Sequence, residues 1–350
     1  GRQYNEGKKI RIIDLFILYI VYYDTQFLSE KFKKKFQMKT ILISGGAGYV
    51  GTELSQFLLK RYNVIIYDKF HFPWIKKNKK KINHQKRLKF INKDINNINL
   101  NDFKNVDYVC DLNGMPNDST SELNPKKTWE INYKGRFKFA KTAKLAKVKR
   151  YIFNSTCSVF GHNTKTVLET SIKKPISTYA KANLMAEKQI YKLKDNNFKV
   201  NILRNSTLYG FSNSMRLDLV INIYVYQLMK NNKITIDGDG RQWRPFISVN
   251  DICRIYDHIL IRQKYPSFIC NLVAFNSTIA KIAFKICEIF NVEKKIIAYS
   301  LKNKDKRNYK VASNNFKKYF KNFKFTNFTK EINVLRKKMD LFKVRQNTET

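Results

Sequence analysis

Residues 44–51 read Ser-Gly-Gly-Ala-Gly-Tyr-Val-Gly, and an acid, Asp68, stands 20 residues beyond Gly48. Glycines so spaced let a chain turn tightly and bring its backbone against a pyrophosphate, whose charge then faces the amide hydrogens of a following helix. Both G-x-G-x-x-G (Gly46, Gly48, Gly51) and G-x-x-G-x-x-G (Gly45, Gly48, Gly51) fit the run, with Tyr49 and Val50 inside it. A carboxylate at the end of the next strand accepts hydrogen bonds from an adenosine ribose and repels a 2′-phosphate, so the pattern predicts NAD rather than NADP. Asp94, followed by Ile95 after a third strand, is a candidate for the adenine amino group.

These residues need a strand before the glycines and a helix after them, and the flanking sequence supplies both. Apolar runs end in small or acidic residues at Ile41–Ser44, Val64–Asp68, Tyr108–Leu112, Tyr151–Asn154 and Val200–Leu203, with helix-like stretches at Tyr49–Arg61, Trp129–Leu145 and Tyr179–Leu193. Strand and helix in alternation predict an α/β fold: a Rossmann-type, doubly wound parallel sheet over residues 38–204. After Arg204 the alternation loosens, which places a second, smaller, mixed α/β domain mainly at 205–350, with some segments returning to the main sheet. The Lys76–Lys81 run reads as a solvated loop.

Composition excludes several classes. The 350 residues carry 68 Lys+Arg against 27 Asp+Glu, a net charge of +41, yet the excess is spread along the chain with no basic stripe or nucleic-acid motif. Lys, Asn, Ile, Phe and Tyr are abundant together, the mark of AT-rich coding, so no specific nucleic-acid partner is expected. Hydrophobic residues at 43% and aromatics at 14% exclude a disordered chain. Five cysteines without C-x-x-C spacing and four scattered histidines predict a reduced, cytoplasmic protein with no disulfide scaffold and no metal site.

The first 37 residues differ from the rest. Leu15–Tyr23 is apolar, but nine residues closed by Asp14 and Asp24 are too few for a membrane span, which needs about 20. The folded protein is expected to begin near Met38, with residues 1–37 an upstream extension or a translated leader outside the fold.

In this order the motifs resemble the extended short-chain dehydrogenase/reductase family, in its NAD-dependent nucleotide-sugar epimerase/dehydratase branch. Gly45–Gly51 matches its dinucleotide loop, and Leu112-Asn113-Gly114 stands where the family has Leu-Ala-Ala beside the cofactor. Ser155-Thr156-Cys157-Ser158-Val159-Phe160-Gly161 is similar to its Ser-Ser/Thr-x-x-Val-Tyr-Gly segment, and Pro175–Tyr179 to the entry of its catalytic helix. Arg241–Val249 resembles its late substrate-phosphate segment. The resemblance implies that Tyr179 is the proton acceptor for a sugar hydroxyl, that Thr156 with Ser155 hydrogen-bonds the reacting oxygen, and that Asn205 lies beside the cofactor. It further implies a nucleotide-sugar cleft lined by Thr207, Arg216 and Asn222, with Arg244 and Arg307 as diphosphate clamps. Dimers through a helix pair are usual for that family, so a homodimer is possible.

The chain departs from the family at one decisive position. The family pattern is Tyr-x-x-x-Lys, whereas Tyr179-Ala180-Lys181-Ala182-Asn183 places an asparagine one turn after the base. Asn183 can bond a nicotinamide-ribose hydroxyl but brings no charge. A unit charge at about 4 Å is worth roughly 4 kcal/mol at an effective dielectric near 20, or about three pKa units of the phenol. Slow catalysis at neutral pH, improving at alkaline pH and on Asn183→Lys, is therefore expected. The family's dehydratases carry an acidic pair where this chain has Cys157 and Ser158, which counts against dehydration. Three readings stay open: an epimerase working through a transient keto sugar, an NAD- and nucleotide-sugar-binding pseudoenzyme acting as sensor or scaffold, and a ketoreductase.

Overall fold

Each apolar run becomes a strand buried on both faces, as a sheet covered on two sides requires. In chain order the strands are β1 (Thr40–Ser44), β2 (Asn63–Asp68), β3 (Leu88–Asn92), β4 (Tyr108–Asp111), β5 (Arg150–Thr156), β6 (Lys199–Asn205), β7 (Thr207–Tyr209), β8 (Ile234–Asp237), β9 (Trp243–Ser248), β10 (Phe268–Leu272), β11 (Phe275–Thr278) and β12 (Ile297–Ser300). This computed structural model describes residues 38–300 and 307–348. The chain divides into a segment Gly1–Lys39 and a body Thr40–Thr350. The expectation for residues 1–37 lies outside the described residues.

Seven strands form one sheet in the order β3-β2-β1-β4-β5-β6-β10, all neighbours parallel. The order reverses between β1 and β4, and ligands of such sheets bind at the carboxyl ends beside that reversal. Helix α1 (Tyr49–Leu58) follows the glycine turn, and the short α2 (Trp74–Lys77) with a 3₁₀ turn at Lys79–Lys81 replaces the loop expected of the lysine run. Next come α3 (Asp118–Leu123), α4 (Pro125–Trp129), a π-helical turn at Glu130–Gly135 and α5 (Arg136–Leu145), so the stretch expected as one helix is re-phased midway. The remaining helices are α6 (Thr178–Lys192), α7 (Val220–Asn231), α8 (Val249–Ile261), α9 (Ile279–Phe290), α10 (Asn314–Tyr319) and α11 (Phe328–Thr348).

Apolar side chains at helical spacing fix which face each helix covers. Leu54 and Leu58 of α1 and Ile252, Ile255 and Ile259 of α8 enter one core with Ile41 and Ile43. Phe139 and Ala143 of α5 and Ala186 and Ile190 of α6 enter another, on the opposite face, with Leu42, Val109 and Phe153. A third core joins α7, α9 and α11 to β8 through Ile221, Val225, Ile282, Ile286, Ile332, Leu335 and Ile236. The boundary expected at 204/205 falls inside β6, and α8 and β10 return to the main sheet from the later part of the chain. Among the described residues no helix is long and apolar enough to cross a membrane.

One buried ion pair ties α6 to the sheet. Arg204 of β6 donates from Nη2 to Glu187 Oε2 at 2.8 Å and from Nε to Oε1 at 3.0 Å, and Ser155 Oγ of β5 donates to Oε1 at 2.5 Å. The two charged side chains are 3% and 2% exposed, so removing one strands the other in a region that cannot solvate it. Glu187→Ala is expected to cost about 3–5 kcal/mol of unfolding free energy, read from denaturant titration, whereas a loss under about 1 kcal/mol would show the pair to be slack.

Candidate active site

The glycine turn is shaped by its neighbours. Gly45 has φ +68°, and a Cβ there would lie 2.8 Å from the backbone of Leu112 and Asn113; one at Gly51 would lie 2.4 Å from the Gly45 carbonyl oxygen. Only glycine lets β1, its turn, α1 and the end of β4 approach this closely. Gly48 starts α1 with no side-chain cap, which leaves the first-turn amides of Tyr49, Val50 and Gly51 facing the cleft. Asp68 closes β2 and accepts from the Ala47 amide at 3.1 Å and the Phe70 amide at 2.7 Å, so its orientation is fixed by the turn itself. Burial raises the Asp68 pKa, against the pull of those amides.

The expected side chains converge on one cleft of about 1560 Å³, running from Gly45, Gly48, Tyr49, Val50, Gly51 and Asp68 to the far wall at Thr207, Arg216, Arg244 and Arg307. Asp94, Ile95, Leu112, Asn113, Gly114, Ser155, Thr156, Tyr179, Asn183 and Asn205 line it too. Asp94 is more committed than its adenine role implies, since it caps a 3₁₀ turn through the Asn96 amide at 3.0 Å and accepts from Lys69 Nζ at 3.1 Å. Although partial burial raises its pKa, these donors more than offset that and leave it lowered. Tyr49 contributes its amide, while its hydroxyl crosses to the Gly210 carbonyl at 2.7 Å.

Tyr179 opens α6, whose first turn is capped by Ser177 and braced by Ser121 Oγ, which accepts from the Tyr179 amide at 3.1 Å. Burial pushes the phenol above its ordinary pKa and Asp118 adds to this, while Arg216, the Thr156 hydroxyl and Arg136 pull it down. Thr156 is thus beside the phenol, and its Oγ1 also accepts from the Ser158 amide at 3.0 Å. Ser155 lines the cleft as well, and its hydroxyl donates to Glu187 Oε1, which braces the helix. Cys157 is buried, and desolvation pushes its thiol up to about 12, which leaves a packed thiol and not an acid or nucleophile.

Asn183 lies one turn below Tyr179 and is 1% exposed. Its Nδ2 donates to the Tyr179 carbonyl at 2.8 Å, and its Oδ1 accepts from Arg136 Nη1 at 2.9 Å. Arg136, which also lines the cleft, is buried on Asp111 with Nε 2.9 Å from Oδ2. That carboxylate also accepts from Ser44 Oγ at 2.7 Å and Tyr151 Oη at 2.7 Å.

The far wall carries three arginines, two of them paired with carboxylates of the same cleft. Arg216 pairs with Asp218, Nε to Oδ1 at 2.9 Å, and Arg307 pairs with Asp118. Arg244, 4% exposed, donates from Nη1 to the Trp243 carbonyl at 2.7 Å and sits over the Tyr309 ring. Thr207 faces the same cleft from β7. Asn222 is a correction: it is fully buried, and its amide accepts from the Gly210 amide at 3.0 Å and donates to Tyr49 Oη at 3.2 Å and the Arg216 carbonyl at 3.0 Å. It holds the wall in place without lining the cleft.

Residues 41–269 match the NAD dependent epimerase/dehydratase family. The chain belongs to this family. The UDP-glucose epimerase YtcB of Bacillus subtilis (strain 168), named as uncharacterized, is 29% identical over 220 residues, covering 60% of this chain and 69% of that protein. Human dTDP-D-glucose 4,6-dehydratase is 26% identical over 261 residues, covering 72% and 74%. The fold matches UDP-glucuronic acid 4-epimerase from Bacillus cereus, solved with UDP-glucuronic acid and NAD, at TM-score 0.74 and 23% identity over 87% of this chain and 99% of that one.

The residues present fit the NAD of this epimerase/dehydratase family. The turn leaves no room for a Cβ at Gly45, the start of α1 is uncapped, and Asn205 Oδ1 is buried with no hydrogen-bond partner among the described residues. Sequence reasoning gave no role to Asp111, Asp118 or Arg136. An acid inside the apolar strand Tyr108–Asp111 was the available signal, because a buried carboxylate demands a partner. That partner lies 25 residues away, a separation no motif spacing encodes. Gly45→Ala is expected to weaken NAD binding at least tenfold, read as the loss of NAD-dependent thermal stabilisation. Wild-type stabilisation in that variant would show that the close approach at Gly45 is not needed.

Proposed function

We propose that this protein is an epimerase of a nucleoside-diphosphate sugar, working with bound NAD through a transient keto sugar. The observation that carries the reading is the placing of Tyr179 and Thr156 in one cleft with the glycine turn on one side and Arg216, Arg244 and Arg307 on the other. NAD, when bound, supplies a hydride acceptor that returns the hydride later. Every other part of the chemistry falls to the chain.

Arg244 offers a planar guanidinium suited to two phosphate oxygens, and its position over Tyr309 restricts its motion. Thr156 orients the sugar hydroxyl, and Tyr179 takes its proton and returns it after the sugar has turned over. The buried Cys157 and Ser158 offer no acid for elimination of water, which favours epimerisation over dehydration.

The pH dependence follows from the phenol. Burial raises the Tyr179 pKa, so the phenolate is the minor form at neutral pH. The rate is expected to climb about tenfold per pH unit above neutrality until the phenol titrates. The assay is proton NMR of the anomeric signals of UDP-glucose and UDP-glucuronic acid with the NAD-loaded protein at pH 7–10. Conversion to the 4-epimer, lowered at least 100-fold by Tyr179→Phe, supports the reading. Tight sugar binding with neither conversion nor reduced nicotinamide at any pH would identify a binding protein instead.

A further inference from the structure

A buried phenol that must lose a proton needs positive charge nearby, and position 183 provides none. The cleft holds another source. The Arg136 side chain is 2% exposed, and its guanidinium is fully placed: Nε on Asp111 Oδ2, Nη2 on the carbonyls of Asp111 and Asn154, and Nη1 on Asn183 Oδ1, all at 2.9 Å. It lies 3.7 Å from the centre of the Phe153 ring. We propose that Arg136, hydrogen-bonded to Asn183 one turn from Tyr179, is the positioning residue for Tyr179 and sets beside it the fixed positive charge that the helix itself lacks.

Asn183 is the link. A guanidinium has no acceptor, so it fixes the amide with Oδ1 toward Arg136 and Nδ2 toward the Tyr179 carbonyl. The second Nδ2 proton remains for a hydroxyl in the cleft that Asn183 lines. A neutral amide thereby joins the backbone carbonyl of Tyr179, one turn away, to the guanidinium of Arg136.

The other charges near Tyr179 are accounted for. Asp118 of α3 opposes the phenolate and is held by Arg307; Glu122 of the same helix is bound to the Thr178 amide; Arg216, held by Asp218, favours the phenolate from the far wall. Arg136 favours it from α5, and its counter-charge Asp111 is spread over Ser44, Tyr151 and the Asn113 amide as well. The geometry also changes the expectation for Asn183→Lys. Its ammonium would enter beside the guanidinium with no carboxylate added, so the single exchange is expected to bring no gain, whereas Arg136→Ser with Asn183→Lys moves one charge and leaves the count unchanged.

The inference rests on Tyr179 being the working base, and its test reads the phenol without turnover. The protein is labelled with 3-fluorotyrosine, which brings phenol pKa values into an accessible range, loaded with NAD and titrated by fluorine NMR, with Tyr179→Phe assigning the signal. Arg136→Gln is expected to raise the Tyr179 pKa by about one unit, and Arg136→Lys to restore most of it. Asp111→Asn, which keeps the guanidinium and removes its counter-charge, is expected to lower it. Opposite shifts are something a merely structural role would not produce. No shift in Arg136→Gln with NAD still bound, or shifts of the same sign in both variants, would overturn the proposal. Should Arg136→Gln fail to fold, Asp111→Asn and Arg136→Lys decide it. Absence of sugar conversion would sink the epimerase reading and leave this result standing.

Discussion

The carboxylate of Asp111 holds the site together. It sits at the carboxyl end of β4, fully buried, and accepts from Ser44 of β1, Tyr151 of β5, Arg136 of α5 and the amide of Asn113, which lines the cleft. A charge in such a place persists only when hydrogen-bonded on every side, so the partners are bound to one geometry. The strand that gives the glycine turn, the strand that gives Thr156 and the helix that gives Arg136 are therefore pinned at the point where the sheet reverses its order.

From that pin the functional groups follow by short connections. Ser44 leads directly into Gly45, and Asp111 leads into Leu112, against whose backbone Gly45 packs. Arg136 reaches Asn183, and Asn183 reaches back one turn to Tyr179. The π-helical turn before Arg136 adds one residue to a turn of the helix and so resets which side chains face the sheet. The cost of burying Asp111 and Arg136 is offset only as a pair, which makes the arrangement specific rather than simply stabilising.

Much of this was legible in the sequence because it rests on local pattern. Strand and helix alternation gave the doubly wound sheet, and the Gly45–Gly51 run with Asp68 gave one end of the cleft, since turn geometry and strand ends are written in neighbouring residues. Resemblance placed Thr156, Tyr179, Arg244 and Arg307 in one cleft, and the structure brings them there. What escaped were contacts between distant positions. Asn222 carries the right chemistry but gives it to Gly210 and Tyr49, and nothing near it in sequence announces those partners. Asn183 read as a plain loss of charge because Arg136 lies 47 residues earlier.

The proposed chemistry requires a dinucleotide in the turn between β1 and α1 with its ribose at Asp68. Calorimetric titration of ligand-stripped protein with NAD and with NADP tests this most directly. One NAD per chain, bound at least tenfold more tightly than NADP because the fixed Asp68 carboxylate repels a 2′-phosphate, is the predicted result. No heat with NAD from folded protein, or tighter binding of NADP, would contradict it.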